Sequence, residues 1–314
     1  MENDNMKRSA PWLSLALVGL LSGFGHNVSE AATMGSHYPF GGEGVLAATA
    51  PPPGFHYRMY NTLYNPTTLK DDSGNKQNIG FDLDLFATIH RFVYVSDKKI
   101  LGADLLCDVI IPLTDKDLSI AAAGVKDSHS LAVGDIIFEP FALSWHKARW
   151  DATAAIAVIA PTGDYDATSA VNPGLGYWSG MLTLGATYYL DEQKSWSASA
   201  RTRTLINSEQ DDTKVTPGSE FVVEYGLGKD VKVSDSVILR PGLAGSSYWQ
   251  ISDDSDDGPG TVADQRKQAH ALGVEVNMFY LPQLIQVNLR ALKEFKAENT
   301  TEGSQFVLTL TKSW

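Results

Sequence analysis

Beyond residue 55 the chain reads as a series of runs in which apolar side chains recur at every second position, the period of a strand with two unlike faces. Residues 304–314 show it most clearly: Phe306, Leu308, Leu310 and Trp314 fall on one face, and Gln305, Thr309, Thr311 and Ser313 on the other, interrupted only by Val307. Similar runs bounded by turn residues predict about twelve strands, over 55–64, 79–95, 100–111, 133–145, 149–160, 176–190, 195–206, 219–228, 237–250, 268–280, 284–296 and 304–314. Past the N-terminal region no stretch approaches the roughly 20 apolar residues of a membrane helix.

The predicted connections alternate in length. Those at 65–78, 112–130, 161–175, 207–217 and 251–267 are long, those at 96–99, 146–148, 191–194 and 281–283 short, and 229–236 is intermediate. Short periplasmic turns and long outer loops give an outer-membrane barrel that rhythm. The expectation is therefore an all-β, closed, antiparallel transmembrane β-barrel of the Gram-negative outer membrane, with both termini periplasmic. A last strand ending on Trp314 suits closure onto the first and resembles the signal read by the barrel-assembly machinery, with Lys312 as a departure. The bilayer, lipopolysaccharide and that machinery are the expected partners, and the barrel is expected to be monomeric.

The pleat assigns faces. Leu101, Ala103, Leu105, Cys107, Val109 and Ile111 are expected toward lipid against inward Asp104 and Asp108, and Leu272, Val274, Val276, Met278 and Tyr280 toward lipid against Glu275 and Asn277. Trp178, Leu182, Leu184, Ala186 and Tyr188 are likewise assigned outward. In the second strand Phe81, Leu83, Leu85, Ala87 and Ile89 are assigned outward and Asp82, Asp84, Thr88 and His90 inward, which leaves Arg91 on the lipid phase unless it lies at an interface or past a bulge. Around Asp135 and Glu139-Pro140 the phase breaks, predicting a bulge or kink in the wall. Trp145, Trp150, Trp178, Trp249, Tyr188 and Tyr280 fall near strand ends, where interfacial aromatic girdles belong.

The inward charges divide into acids (Asp82, Asp84, Asp104, Asp108, Asp151, Glu220, Glu224, Glu275) and arginines (Arg201, Arg203, Arg240, Arg290). Two readings stand open: a field across the lumen that orients permeants, or charges that pair and fill a small barrel. The formal net charge of −12 argues against nucleic acid as a partner. The lone Cys107 excludes a disulfide framework.

At the other end, Lys7 and Arg8, an apolar run over 12–21, and Ser29-Glu30-Ala31 have the layout of a signal peptide over residues 1–31. Residues 32–54 would precede a barrel over 55–314. The acidic run 252–257 lacks the spacing of a calcium loop and reads as a solvated outer loop. No catalytic motif, cofactor site or metal-ligand spacing stands out. A barrel enzyme acting on lipid would need Ser, His and an acid on its outer face, and a structural or adhesive barrel would need only a blocked lumen.

The segment preceding the first strand carries Gly35-Ser36-His37-Tyr38-Pro39, Gly41-Gly42-Glu43-Gly44 and Pro51-Pro52-Pro53-Gly54. With Gly134-Asp135, Pro140, Trp145, the run Ala160-Pro161-Thr162-Gly163-Asp164-Tyr165-Asp166, Asn172-Pro173-Gly174 and Gly218-Ser219-Glu220, it resembles a family of outer-membrane channels associated with a meta-cleavage pathway of phenol degradation. The resemblance implies a twelve-stranded, porin-like barrel for passive uptake of small hydrophobic or aromatic molecules. It also implies that the N-terminal segment narrows the lumen through Tyr38, Pro39 and Glu43.

Overall fold

The structure, a computed structural model, describes residues 35–256 and 266–314. The expected leader over 1–31 and the final residue of the acidic run, Asp257, lie outside the described residues.

Thirteen long strands follow one another: β1 Gly54–Tyr64, β2 Phe81–Ile100, β3 Ala103–Ile120, β4 Val125–Val133, β5 Ile136–His146, β6 Trp150–Ala160, β7 Ser179–Tyr189, β8 Trp196–Asn207, β9 Glu220–Lys229, β10 Val237–Gln250, β11 Gln268–Tyr280, β12 Ile285–Glu298 and β13 Ser304–Ser313. All but β4 form one closed antiparallel ring of twelve, each strand pairing its neighbours and β13 pairing β1. At the seam His56 lies opposite Ser313 and Tyr64 opposite Gln305. Closure leaves the ring itself no edge strand, so the ladder satisfies the wall's backbone without water.

The two ends of the ring differ. At the end carrying Gly54 and Ser313 the turns are short. The other end carries the long connections 65–80, 161–178, 208–219 and 251–267. One predicted loop is different in the structure: within 112–130 the chain continues as β3 to Ile120, turns at residues 121–124 and returns as β4, which pairs only the distal half of β3. With the start of β2 these form a hairpin extension beyond the rim. Its inner face holds Leu69, Phe81, Leu83, Leu118, Ile120 and Val171 in one cluster.

That extension corrects the faces of β2. Tyr60 pairs Ile89, Thr62 pairs Ala87 and Arg58 pairs Arg91, so Phe81, Leu83, Ala87, Ile89 and Arg91 point inward, while Asp82, Asp84, Thr88 and His90 point outward. An aspartate is tolerable there because Asp82 and Asp84 stand above the apolar band. Where the wall is apolar on both phases, hydropathy does not say which face is which.

The remaining faces follow the expected alternation. Leu182, Leu184, Leu243, Leu272, Val274, Leu289 and Phe306 are exposed on the outer wall, whereas Thr183, Glu224, Ser246 and Thr309 are buried inside. Phe55, Tyr94, Trp150, Tyr188, Trp196 and Trp314 ring the terminal end. At Glu139-Pro140 the register of β5 shifts against both β3 and β6, the expected bulge.

Two substitutions test the face assignment. Leu308→Arg, in the middle of the outer wall, is expected to cost about 2–4 kcal/mol in denaturant titrations of the protein folded in vesicles. Asp82→Arg, in the outward phase but above the apolar band, is expected to stay within about 0.5 kcal/mol.

Candidate functional site: the lumen and the N-terminal segment

Residues 35–53 run through the lumen. Entry is fixed at the seam, where the ring of His56 lies 2.9 Å from the Pro52 carbonyl and 2.7 Å from Ser313 Oγ. Gly54, at φ +142°, passes so close to the end of β13 that a Cβ would lie 2.6 Å from the Trp314 carbonyl oxygen. The segment then lies against β8 to β12. Gly226 makes that approach feasible, since a Cβ there would meet Val45 N at 2.5 Å.

Glu224, fully buried, organises the contact: it accepts from Tyr38 OH at 2.8 Å, Gly41 N at 3.1 Å and Glu43 N at 2.8 Å, and pairs with Arg203. The Arg203 guanidinium also stacks 3.9 Å over the Tyr38 ring. Nearby Glu275 accepts from Val45 N at 3.0 Å and from Arg290 Nε at 2.8 Å, and Arg290 donates to the Gly41 carbonyl at 2.8 Å. The irregular backbone of the segment thus finds acceptors and donors on wall side chains, as buried backbone must.

Across the lumen Glu43 reaches the opposite wall. Its carboxylate takes Arg58 Nη1 at 3.3 Å and Tyr60 OH at 3.1 Å, with Arg91 Nη1 at 3.6 Å and Arg201 Nη1 at 3.8 Å. Arg91 is shared with Asp108 and Glu139. The result is an ionic belt between two apolar layers. On the loop side lie Ile137, Ile159, Met181, Leu205, Val222 and Tyr248, and on the terminal side Val93, Val95, Leu106, Ala142 and Ala155 with Ala50 of the segment.

Of the charges assigned to the lumen by sequence, Asp104, Asp108, Asp151, Arg201, Arg203, Glu220, Glu224, Glu275 and Arg290 are buried on its inner face. Arg240 lies on the same phase at the terminal end, paired with Asp230 at 2.8 Å. Asp82 and Asp84 do not belong with them. Acids and arginines enter from both sides of the ring: Arg58 and Arg91 come from β1 and β2, and Glu224 and Glu275 from β9 and β11. Of the segment residues, Tyr38 and Glu43 are buried in the belt, while Pro39 is exposed and makes no side-chain contact to a wall charge. Arg58 could have been found from its phase with His56 and Tyr60. Glu139 and Asp135 were masked by the break in β5.

Asp135 fastens the loop end. It accepts from Gly163 N at 3.0 Å and Leu175 N at 2.7 Å, and lies 2.8 Å from His37 Nε2. Loop 161–178 is further held by Lys116, which donates to the Asn172 carbonyl at 2.6 Å, and by Asp127 of β4, which accepts from Ser169 Oγ at 2.7 Å and Ala170 N at 2.7 Å.

Among the described residues serine hydroxyls and histidine rings meet in four places, one of them the His56–Ser313 contact at the seam. Ser179–His37–Asp135 and Ser144–His146–Asp151 both face inward, and the serines are 2% and 0% exposed. On the outer wall Ser247 Oγ lies 2.9 Å from His270 Nδ1, flanked by Trp249 and Phe295, and among the described residues no carboxylate hydrogen-bonds that ring. Neither kind matches an accessible nucleophile oriented through a base by an acid. Among the described residues no cluster of His, Cys, Asp or Glu could hold a metal ion. In the acidic run, Asp254 accepts from Gly218 N at 2.6 Å and Asp253 binds Arg266 at 2.6 Å.

A family model whose description gives it a provisional place in the MetA-pathway of phenol degradation matches residues 68–310. The chain belongs to this family. Its fold is similar to the crystal structure of an outer membrane channel from Pseudomonas putida F1, with a TM-score of 0.73 at 18% identity, covering 89% of this chain and 100% of that one. A more distant likeness, TM-score 0.55 at 10% identity over 84% of this chain and 100% of the other, is to the β domain of the Bordetella autotransporter BrkA. Such identities establish the closed barrel fold. No protein of curated function matches the sequence.

Two outcomes are expected. Glu224→Ala strands Arg203 in the interior, which costs about 3–5 kcal/mol for a broken buried pair; it should lower stability in vesicles and expose residues 38–43 to added protease. For Asp127, burial pushes the carboxyl up, but the Ser169 hydroxyl and the amides of Val171, Ala170 and Ser128 outweigh it and hold it below its ordinary value of 3.8. Because the folded-state value is depressed, loop docking is fully present above pH 3.8 and is lost as pH falls through that depressed value. Hydrogen-exchange protection of the Ala170 and Val171 amides should hold to pH 4, and Asp127→Asn should reduce it about tenfold at neutral pH.

Proposed function

We propose that this chain is an outer-membrane channel for the passive uptake of small, apolar or aromatic molecules, with residues 35–53 as its constriction. The observation that carries this reading is the segment itself, threaded through the lumen and bonded to both walls by Glu43 and Glu224. A barrel that needed only to fill its interior could do so with wall side chains; a tethered segment narrows a path while leaving it adjustable. The family's link to phenol degradation and the apolar layers on either side of the ionic belt favour apolar permeants.

In this reading the short-turn end with both termini is periplasmic and the end carrying loop 161–178 is extracellular. The signal peptide over 1–31 directs export, the strand ending at Trp314 engages the assembly machinery, and the barrel works as a monomer in contact with lipopolysaccharide. No catalytic step is needed.

A second reading, a structural barrel with a sealed lumen, is favoured by the fill of the interior, where Ala48 and Glu224 have no exposed surface. One experiment separates the two. In planar bilayers the full mature chain is expected to show a small unitary conductance that rises severalfold when residues 32–50 are deleted; silence in both forms would leave the sealed barrel.

A further inference from the structure

The belt has an uneven arrangement of partners. Arg203 has Glu224, Arg290 has Glu275, and Arg91 has Asp108 and Glu139, all supplied by the wall. Among the described residues Arg58 and Arg201 form ion pairs with Glu43 alone, and that carboxylate belongs to the segment. Remove Glu43, and the wall presents two guanidiniums without an anion, one from β1 and one from β8, with the Tyr60 hydroxyl and one edge of Arg91. The Nε atoms of Arg58 and Arg201 are buried and have no acceptor even with Glu43 in place. Such a cradle fits a carboxylate, because guanidinium forks offer several donors to one planar anion.

We propose that Glu43 occupies the binding site of a permeant carboxylate, so that the channel's constriction selects small monoanions with an apolar body. This rests on the channel reading above and names the class of molecule that its narrowest point would recognise. Arg58 is the most open group of the cradle, its side chain keeping 30% of its surface exposed, and gives an anion its approach. Its apolar part would lie against the adjoining layer of Ile137, Met181 and Leu205 with Ile110 packed on it. Exchange requires only the Glu43 side chain to turn aside. The backbone bonds from Gly41, Glu43 and Val45 to Glu224 and Glu275 stay in place.

Because Glu43 is tethered, it competes as an intramolecular ligand at high effective concentration. Benzoate and its neutral isostere benzamide are suitable probes, titrated by calorimetry into the full mature protein in detergent, with heat-modifiable gel mobility as the check of folding. The expected result is weak benzoate binding to the native protein, tightened roughly tenfold by Glu43→Gln, with no heat from benzamide. Adding Arg58→Gln to Glu43→Gln should abolish the gain, and Arg201→Gln in the same background provides a second test should one variant misfold. Equal benzoate affinity with and without Glu43, no benzoate binding to either form, or equal binding of benzamide would overturn the proposal. The titration needs no conductance, so a protein silent in bilayers but binding benzoate as described would count against the channel and not against the carboxylate site.

Discussion

Everything in this molecule depends on the pairing of Gly54–Tyr64 with Ser304–Ser313. In hydrocarbon each unpaired backbone N–H or C=O costs several kcal/mol, so a sheet can stand there only if its first and last strands meet. The seam does more than close the ring. His56 lies within hydrogen-bonding distance of both Ser313 and the Pro52 carbonyl, and Gly54 passes against the end of β13 where no side chain would fit. The residues that close the barrel are therefore also the ones that turn residues 35–53 into it.

Once inside, the segment answers a problem created by the wall. Ten strongly charged groups in a narrow, poorly hydrated space must be matched nearly one to one, because an isolated buried charge costs more than any packing gain returns. Glu224 and Glu275 each accept from a wall arginine and from segment backbone, and Glu43 supplies the anion for Arg58 and Arg201. The wall is electrostatically incomplete without the segment, and the segment, rich in glycine, has few partners of its own beyond the turns that join Ala47 to Gly44 and Thr49 to Leu46. Each makes the other's burial tolerable.

How far the sequence disclosed this depended on which signal had a competitor. The ring of strands and its closure were legible because lipid on one side and charge on the other impose a period of two, as in Phe306 to Trp314, and the bulge at Glu139-Pro140 was legible because proline cannot serve in a continuous ladder. On β2 the rule failed. Phe81 and Leu83 are apolar for the sake of an interior cluster, and Asp82 and Asp84 face outward where there is no lipid, so the alternation was real and its sign reversed. The same error hid Arg91, and with it the fact that arginines enter the lumen from both sides. The hairpin of β3 and β4 was missed for a related reason: above the membrane rim strands carry polar residues on both faces and look like loop. Asp135, by contrast, could be named as part of a motif, but its partners at Gly163, Leu175 and His37 are distant in sequence and only the fold unites them.

The layering of the lumen has a consequence for how such a barrel can be closed and still serve as a path. An apolar plug would need to leave bodily, exposing its surface and the surface it covered. Here the level that Glu43 crosses is ionic and the levels on either side are apolar. The Glu43 carboxylate in the belt can be replaced by another anion without stranding Arg58 and Arg201, whose own desolvation has already been met by folding. In the proposed channel, a constriction held by one tethered carboxylate would be shut to ions that bring nothing to Arg58 and Arg201, and passable to an anion that replaces what it displaces.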